Sequence, residues 1–377
     1  MAKREARPQA LFSIRARWAF FFLFGQLAML AAWTLLGASW STMAGAAWAA
    51  LSSLVFATQL FLLWFDLPKN VPVRGGKLLP RFGPGTWFSL LRILALSMLA
   101  GFLWSPRPEG WLAWLPFALY LFYCLADLAD GYAARAAGMM TRLGEKLDLD
   151  LDGRGLLVAT LLAIHYGTVA WWFVLIGLAR YLFVFAAWVH KQAGGSFRLR
   201  PSSLRRPLAG AQMGFGVAFL APGLPAEVTS FVSSLTMLPF LGNFLVDWFT
   251  GAGWLGFDNR LGRHQLWQAA SNWVLLCVRV ALLSLLVWRF SAARLDLYSV
   301  FDIFLGFVLV LGLSGRLAAF ALLVETGFRL QGRAMQAQDY VILFGGMILL
   351  YLGTGAISLR GMKEGWIFRR WGAKGQA

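Results

Sequence analysis

The chain has 377 residues, 59% hydrophobic and 14% charged, with a net charge of +17. A mean hydropathy of +0.64, with apolar runs of membrane-spanning length recurring along the chain, excludes a water-soluble globular protein. The basic residues lie between the apolar runs rather than in one patch, so they fit the positive-inside rule and anionic lipid headgroups, not nucleic acid; Cys124 and Cys277 lie inside apolar runs and form neither a disulfide framework nor a zinc spacing.

Residues 1–17 carry Lys3, Arg4, Arg7, Arg15 and Arg17, which predicts a cytoplasmic N-terminus. Spans are expected at 18–36 and 43–65, the first a retained helix rather than a cleaved leader. The basic, Pro- and Gly-bearing stretch DLPKNVPVRGGKLLPRFGPG follows and belongs on the cytoplasmic side, part of it as an interfacial amphipathic segment. A third span, 87–104, begins in PGTWFSLLR and places Arg92 near its cytoplasmic end, either facing a phosphate or snorkelling to the interface. The fourth, 111–129, returns to the cytoplasm, and the fifth continues to about residue 166.

Between the fourth and fifth spans lies DLADGYAARAAGMMTRLGEKLDLDLD, residues 127–152. Carboxylates at membrane helix ends cost free energy unless paired or metal-bound, so they mark function. On a helix, Asp127, Asp130, Gly131 and Ala134 share one face. Two acids followed by two residues with almost no side chain would let a ligand press against the backbone. Gly144, Asp148 and Asp152 are four apart and line one face of the next helix, whereas Asp150 points to the opposite side and is excluded. Two antiparallel helix ends would then converge four carboxylates, enough oxygen ligands for two divalent cations. Paired cations suit phosphoryl transfer, because they neutralise phosphates and leaving group.

The pattern D-x2-D-G-x2-A-R-x8-G-x3-D-x3-D is met at all eight fixed positions: Asp127, Asp130, Gly131, Ala134, Arg135, Gly144, Asp148 and Asp152. It resembles the signature of the CDP-alcohol phosphatidyltransferase family. The stretch PGTWFSLLR also looks like that family's P-N-x-x-T-x-x-R, with Gly85 for the usual Asn and Ser89 for the usual Thr. The resemblance implies that Asp127, Asp130, Asp148 and Asp152 hold two Mg²⁺ or Mn²⁺ ions. Asp152 would be ligand, general base or both. It also implies that Gly131, Ala134 and Gly144 admit the nucleotide and that Arg135 contacts phosphate. Where the family often has Lys after the last Asp, this chain has Gly153 and then Arg154, a candidate for the same charge.

The sixth span, 168–189, carries Arg180 in its interior; a cation there must find an acid or a phosphate. The following loop holds Lys191, Arg198, Arg200, Arg205 and Arg206. The charge rule alone accounts for them, while the alternative is binding of the acceptor's phosphate or an anionic headgroup. Gln212 resembles a Gln after the family's G-K-x-K-T stretch, with Arg206 for the first Lys and Leu208 at the second. Spans at 208–221 and 228–249 complete six counted from Trp87, the family's core number. Four more apolar stretches, 266–288, 297–313, 317–328 and 340–359, look like the DoxX-like four-helix membrane family. Arg279, Asp302 and Glu325 lie in or near them, expected as buried ion pairs, with a site for a second small ligand as the alternative.

The expected fold is therefore an all-α integral membrane protein of about twelve spans. Its expected divisions are a two-helix extension (1–67), a six-helix core (68–250), a linker (251–265) and a four-helix region with a basic cytoplasmic tail (266–377). The resemblance implies an enzyme that moves a substituted phosphate from a CDP-alcohol to a hydroxyl and releases CMP. The donor would be CDP-diacylglycerol, entering from the cytoplasmic leaflet of a bacterial inner membrane, and the acceptor a small polar alcohol. A soluble CDP-alcohol with a lipid acceptor is the alternative within that chemistry, and the resemblance implies dimerisation through core helices, an interface that the extra helices either preserve or block. A transporter or scaffold is the non-enzyme alternative; the absence of an inverted repeat or paired broken spans counts against it.

Overall fold

The computed structural model describes residues 2–198, 205–254, 261–292, 297–313, 315–353 and 355. These form twelve α-helices: α1 (Ala2–Ser39), α2 (Thr42–Asp66), α3 (Pro84–Gly101), α4 (Leu115–Ala136), α5 (Arg142–His165), α6 (Val174–Gln192), α7 (Arg205–Phe219), α8 (Ala226–Gly251), α9 (Leu261–Ala292), α10 (Leu297–Leu311), α11 (Gly315–Arg329) and α12 (Ala337–Leu352). The protein is an all-α integral membrane protein. Seven of the described helices are long and apolar enough to cross a membrane: α1, α2, α3, α4, α6, α8 and α9. The expectation of twelve spans holds as a number of helices but not as a number of full-length apolar spans. Helix α5 has the length, but its first three turns carry charge after charge. Helices α7, α10, α11 and α12 have 15 or 16 residues. At 1.5 Å per residue they fall short of the ~30 Å hydrocarbon thickness.

The chain divides into two compact units. One holds the chain through Tyr166 together with Met213–Pro222, so the first two helices share a unit with α3, α4 and α5. Helix α2 lies close on α3 because Gly101 has no side chain: a Cβ there would sit 2.6 Å from the Trp48 carbonyl. The Trp48 indole donates to Met98 O at 2.9 Å, and the Gln59 amide nitrogen donates to Ser97 Oγ at 2.9 Å, which ties the two helices across this seam. After α2 the chain makes a single 3-10 turn, Leu67–Lys69, and then no helix until Pro84. The expected amphipathic segment is absent here: Pro68, Pro72 and Pro80 remove donors, and Gly75 and Gly76 take positive φ. Instead the Asn70 side chain donates to Leu79 O and Arg81 O, closing a loop. Its edge clamps the α4–α5 turn through Val73 N to Met140 O and Arg142 N to Val71 O, both 3.0 Å.

The other unit holds Gly167–Gln212 and the chain from Gly223. Helix α6 packs on α8, and α9 to α12 form a four-helix bundle around Leu282, Leu286, Leu309, Leu322 and Ile342. Buried charges gather where α9 and α11 end and α10 and α12 begin. Arg329 pairs with Asp302, and Asp339 accepts from Arg333 at 3.1 Å and lies 3.7 Å from Arg289. The expected pairing holds for Asp302. Arg279 donates to the Val310 carbonyl, and buried Glu325 lies against the Asp302 carboxylate rather than on a cation of its own. Breaking a buried pair strands a charge. Asp302→Ala should therefore cost about 3 kcal/mol, whereas Glu325→Gln, which puts a neutral side chain of the same size beside Asp302, should be neutral or stabilising. Thermal unfolding in detergent measures both; equal losses would contradict the assignment.

Candidate active site

The site lies within the first unit and is built from α3, α4 and α5. Helix α4 runs on to Ala136, beyond the expected end at residue 129, so Asp127 and Asp130 stand inside its last three turns. It stops where Gly138 takes φ +65°, and α5 starts four residues later, at Arg142, after Thr141, whose hydroxyl caps Gly144 N at 3.1 Å. Asp66, at the end of α2, pairs with Lys69 at 2.7 Å and with Lys146 of α5, tying down the first turns of α5. The two acid-bearing helices are thus held from both ends of their connecting turn.

Asp127, Asp148 and Asp152 each place one carboxylate oxygen within 4.8 Å of the others. Asp130 stands beside this group of three, nearly buried, with its Oδ2 accepting from Ser89 Oγ at 3.2 Å. The side chains of Asp148 and Asp152 are 51% and 44% exposed, against 22% for Asp127. The site therefore opens along α5 and is backed by α3 and α4. Asp150 pairs with Arg154 at 3.8 Å on the other side of α5, as its two-residue offset requires. An all-carboxylate donor set of this compactness suits a hard divalent cation.

Arg92 occupies the middle. Its side chain has no exposed surface, so it does not snorkel. Its Nη1 lies 2.7 Å from Asp127 Oδ1, 2.9 Å from Asp130 Oδ2 and 3.4 Å from Asp148 Oδ1. Its Nη2 lies 2.9 Å from Asp152 Oδ1 and 3.4 Å from the Tyr123 hydroxyl. The guanidinium also stands 4.8 Å from the Tyr123 ring centroid, and that hydroxyl donates to Leu151 O at 2.6 Å. Tyr123 is a site residue that motif reading misses. It precedes Asp127 by four and so shares the acid face of α4, which is the signal that could have found it.

The remaining expected residues divide. Ala134 and the Asp130 carbonyl form the surface on which Gly85 rests, so Ala134 serves helix packing. Arg135 folds back over Gly131, where an added Cβ would meet its Nη1 at 2.9 Å. Gly144 faces Thr141 and Thr86. Arg154 is engaged by Asp150 and does not join the carboxylates. Half-buried Arg180 and exposed Arg198 belong to the second unit. Arg205 and Arg206 are described only as the start of α7, and Arg200 lies outside the described residues.

Comparison with known proteins places this geometry. A family model described as CDP-alcohol phosphatidyltransferase matches residues 85–251. Proteins provisionally named cardiolipin synthase, from Mycobacterium bovis and from two strains of Mycobacterium tuberculosis, are 30% identical to the chain over 95 residues. That match covers 24% of this chain and 44% of each relative, so the chain spans less than half the length of the curated relatives it matches. No solved structure matches significantly. The acid-bearing helices of the site fall inside the matched stretch, so residues 85–251 of this chain are similar to the CDP-alcohol phosphatidyltransferase family.

Proposed function

We propose that this protein transfers a substituted phosphate group from a CDP-alcohol to an acceptor hydroxyl and releases CMP. The observation that carries this reading is the gathering of Asp127, Asp148 and Asp152 within 4.8 Å beside Asp130, at all four acid positions of the signature. These four residues would hold two Mg²⁺ or Mn²⁺ ions, which when bound neutralise the diphosphate and the departing CMP. The acceptor oxygen forms a bond to the phosphorus bearing the alcohol, the phosphorus–oxygen bond to CMP breaks, and the hydroxyl proton passes to Asp152, on the open side of the site. Gly131 and Gly144 leave room for the nucleotide, and Arg135 swings from Gly131 to a phosphate. Arg92, Arg180, Arg198, Arg200, Arg205 and Arg206 are the pool from which acceptor or phosphate contacts are drawn.

The proposed donor is CDP-diacylglycerol, drawn from the cytoplasmic leaflet of a bacterial cell membrane, with both termini on the cytoplasmic side. The divisions 1–67, 68–250, 251–265 and 266–377, with a DoxX-like last part and a homodimer formed through core helices, belong to the same proposal. The relatives' name makes phosphatidylglycerol the first acceptor to try. Purified protein with Mn²⁺ and CDP-diacylglycerol should release CMP with one of glycerol 3-phosphate, inositol, inositol phosphate, serine, choline or phosphatidylglycerol. A response only to a soluble CDP-alcohol with a lipid acceptor would reverse the donor assignment. Silence with every pair would remove the enzyme reading.

A further inference from the structure

We infer that Arg92 is a resident counter-cation of the acidic site, one that holds the carboxylates together before divalent ions bind and competes with them for the same oxygens. This inference rests on the metal-binding reading proposed above.

Four carboxylates and one guanidinium leave the site strongly negative, so it still attracts divalent cations. Yet Arg92 already engages one oxygen of every acid: Oδ1 of Asp127, Asp148 and Asp152, and Oδ2 of Asp130. Its contacts are also unequal. The two hydrogens of Nη1 face three carboxylates: they hydrogen-bond Asp130 at 2.9 Å and Asp148 at 3.4 Å, the longest approach, and the 2.7 Å contact with Asp127 is an ion pair without a hydrogen bond of its own. Asp130 holds Arg92 from the buried side, through the oxygen that also takes the Ser89 hydroxyl, and Tyr123 holds it by ring face and hydroxyl. These anchors come from α3 and α4. The contacts an arriving ion would contest are those to Asp127, Asp148 and Asp152, the three acids whose oxygens already converge.

Loading is then an exchange of cations rather than the filling of a bare acidic hole. The exchange has two opposing consequences. Arg92 keeps four like charges from driving α4 and α5 apart while no ion is present, and it weakens ion binding by occupying ligand atoms and adding positive charge. A purely structural Arg92 would act in one direction only, because its loss would scatter the ligands and weaken ion binding.

The test compares wild type with Arg92→Met, of similar reach and no charge, in detergent. Mn²⁺ affinity is read from the electron paramagnetic resonance signal of free Mn²⁺, and melting temperature is measured in EDTA and in saturating Mn²⁺. The expected result is Mn²⁺ binding tighter by about tenfold or more. In EDTA the melting temperature should fall by about 5 °C or more, a deficit that Mn²⁺ largely restores. Arg92→Lys, which keeps the charge but not the fork, should lie between the two and serves if the Met variant does not fold. Mn²⁺ binding that is unchanged or weaker in the variants, with normal binding to wild type, overturns the inference and leaves the metal reading standing. Wild type that takes up no Mn²⁺ removes the metal reading and this inference with it.

Discussion

Asp148→Asn should lower CMP release by more than about a hundredfold while leaving expression and melting temperature near wild type. The side chain is half exposed, and its contact with Arg92 is the longest of the four, so the fold does not depend on it. Loss of a residue that merely supports a metal ligand typically costs about ten- to a hundredfold. A larger drop places Asp148 among the ligands, and a smaller one makes it a neighbour. Asp150→Asn is the internal control. Its partner Arg154 is 3.8 Å away, four residues along the same helix, and such a surface pair contributes on the order of 0.5 kcal/mol or less. Activity within a few-fold of wild type is expected. Severe loss at Asp150 with mild loss at Asp148 would invert the assignment of faces on α5. The assay is initial-rate CMP release from CDP-diacylglycerol with whichever acceptor the screen identifies.

Gly85→Asn should also impair the enzyme severely, although Asn is the residue the family's motif usually carries there. A Cβ at position 85 would lie 2.8 Å from the Asp130 carbonyl and 2.8 Å from the Ala134 Cβ. One of these neighbours is helix backbone and cannot rotate away, so the first turn of α3 must retreat from α4. Overpacking of this kind costs about 1–3 kcal/mol. The catalytic effect is larger than the stability effect because Ser89 and Arg92 ride on the same helix and address Asp130 and Asp152 at 3.2 Å and 2.9 Å. Misplacement approaching 1 Å costs about a hundredfold in rate, so a loss of tenfold to about a hundredfold is expected. Adding Ala134→Gly, which removes one of the two collisions, should recover part of it. Full activity in the single variant would show that the close approach of α3 to α4 is dispensable.

Helical periodicity made much of this site legible in advance. It grouped Asp127 with Asp130 and Asp148 with Asp152, and it set Asp150 apart, because a side chain's direction on a helix depends only on its number. The same rule was available for Tyr123. Tyr123 carries no charge to mark it in the sequence, yet a buried tyrosine that hydrogen-bonds the Leu151 carbonyl sets the distance between α4 and α5 as firmly as any acid. Hydropathy located all twelve helices, and seven of those described are long and apolar enough to cross a membrane; how far each apolar run stays helical depends on what it packs against.

By itself the sequence determined the class of the molecule, the two acid faces and the chemistry they suit, since composition, period and spacing are local properties of the chain. The tertiary structure alone decided that Arg92, thirty-five residues before Asp127 and on a different helix, sits among all four carboxylates. It also decided that Asp130 turns toward Ser89 and Arg92 while the other three acids converge. Both outcomes depend on which face of α3 meets α4 and how closely. That is set by a contact between Gly85 and Ala134, forty-nine residues apart, and no local rule of spacing reaches across such a separation.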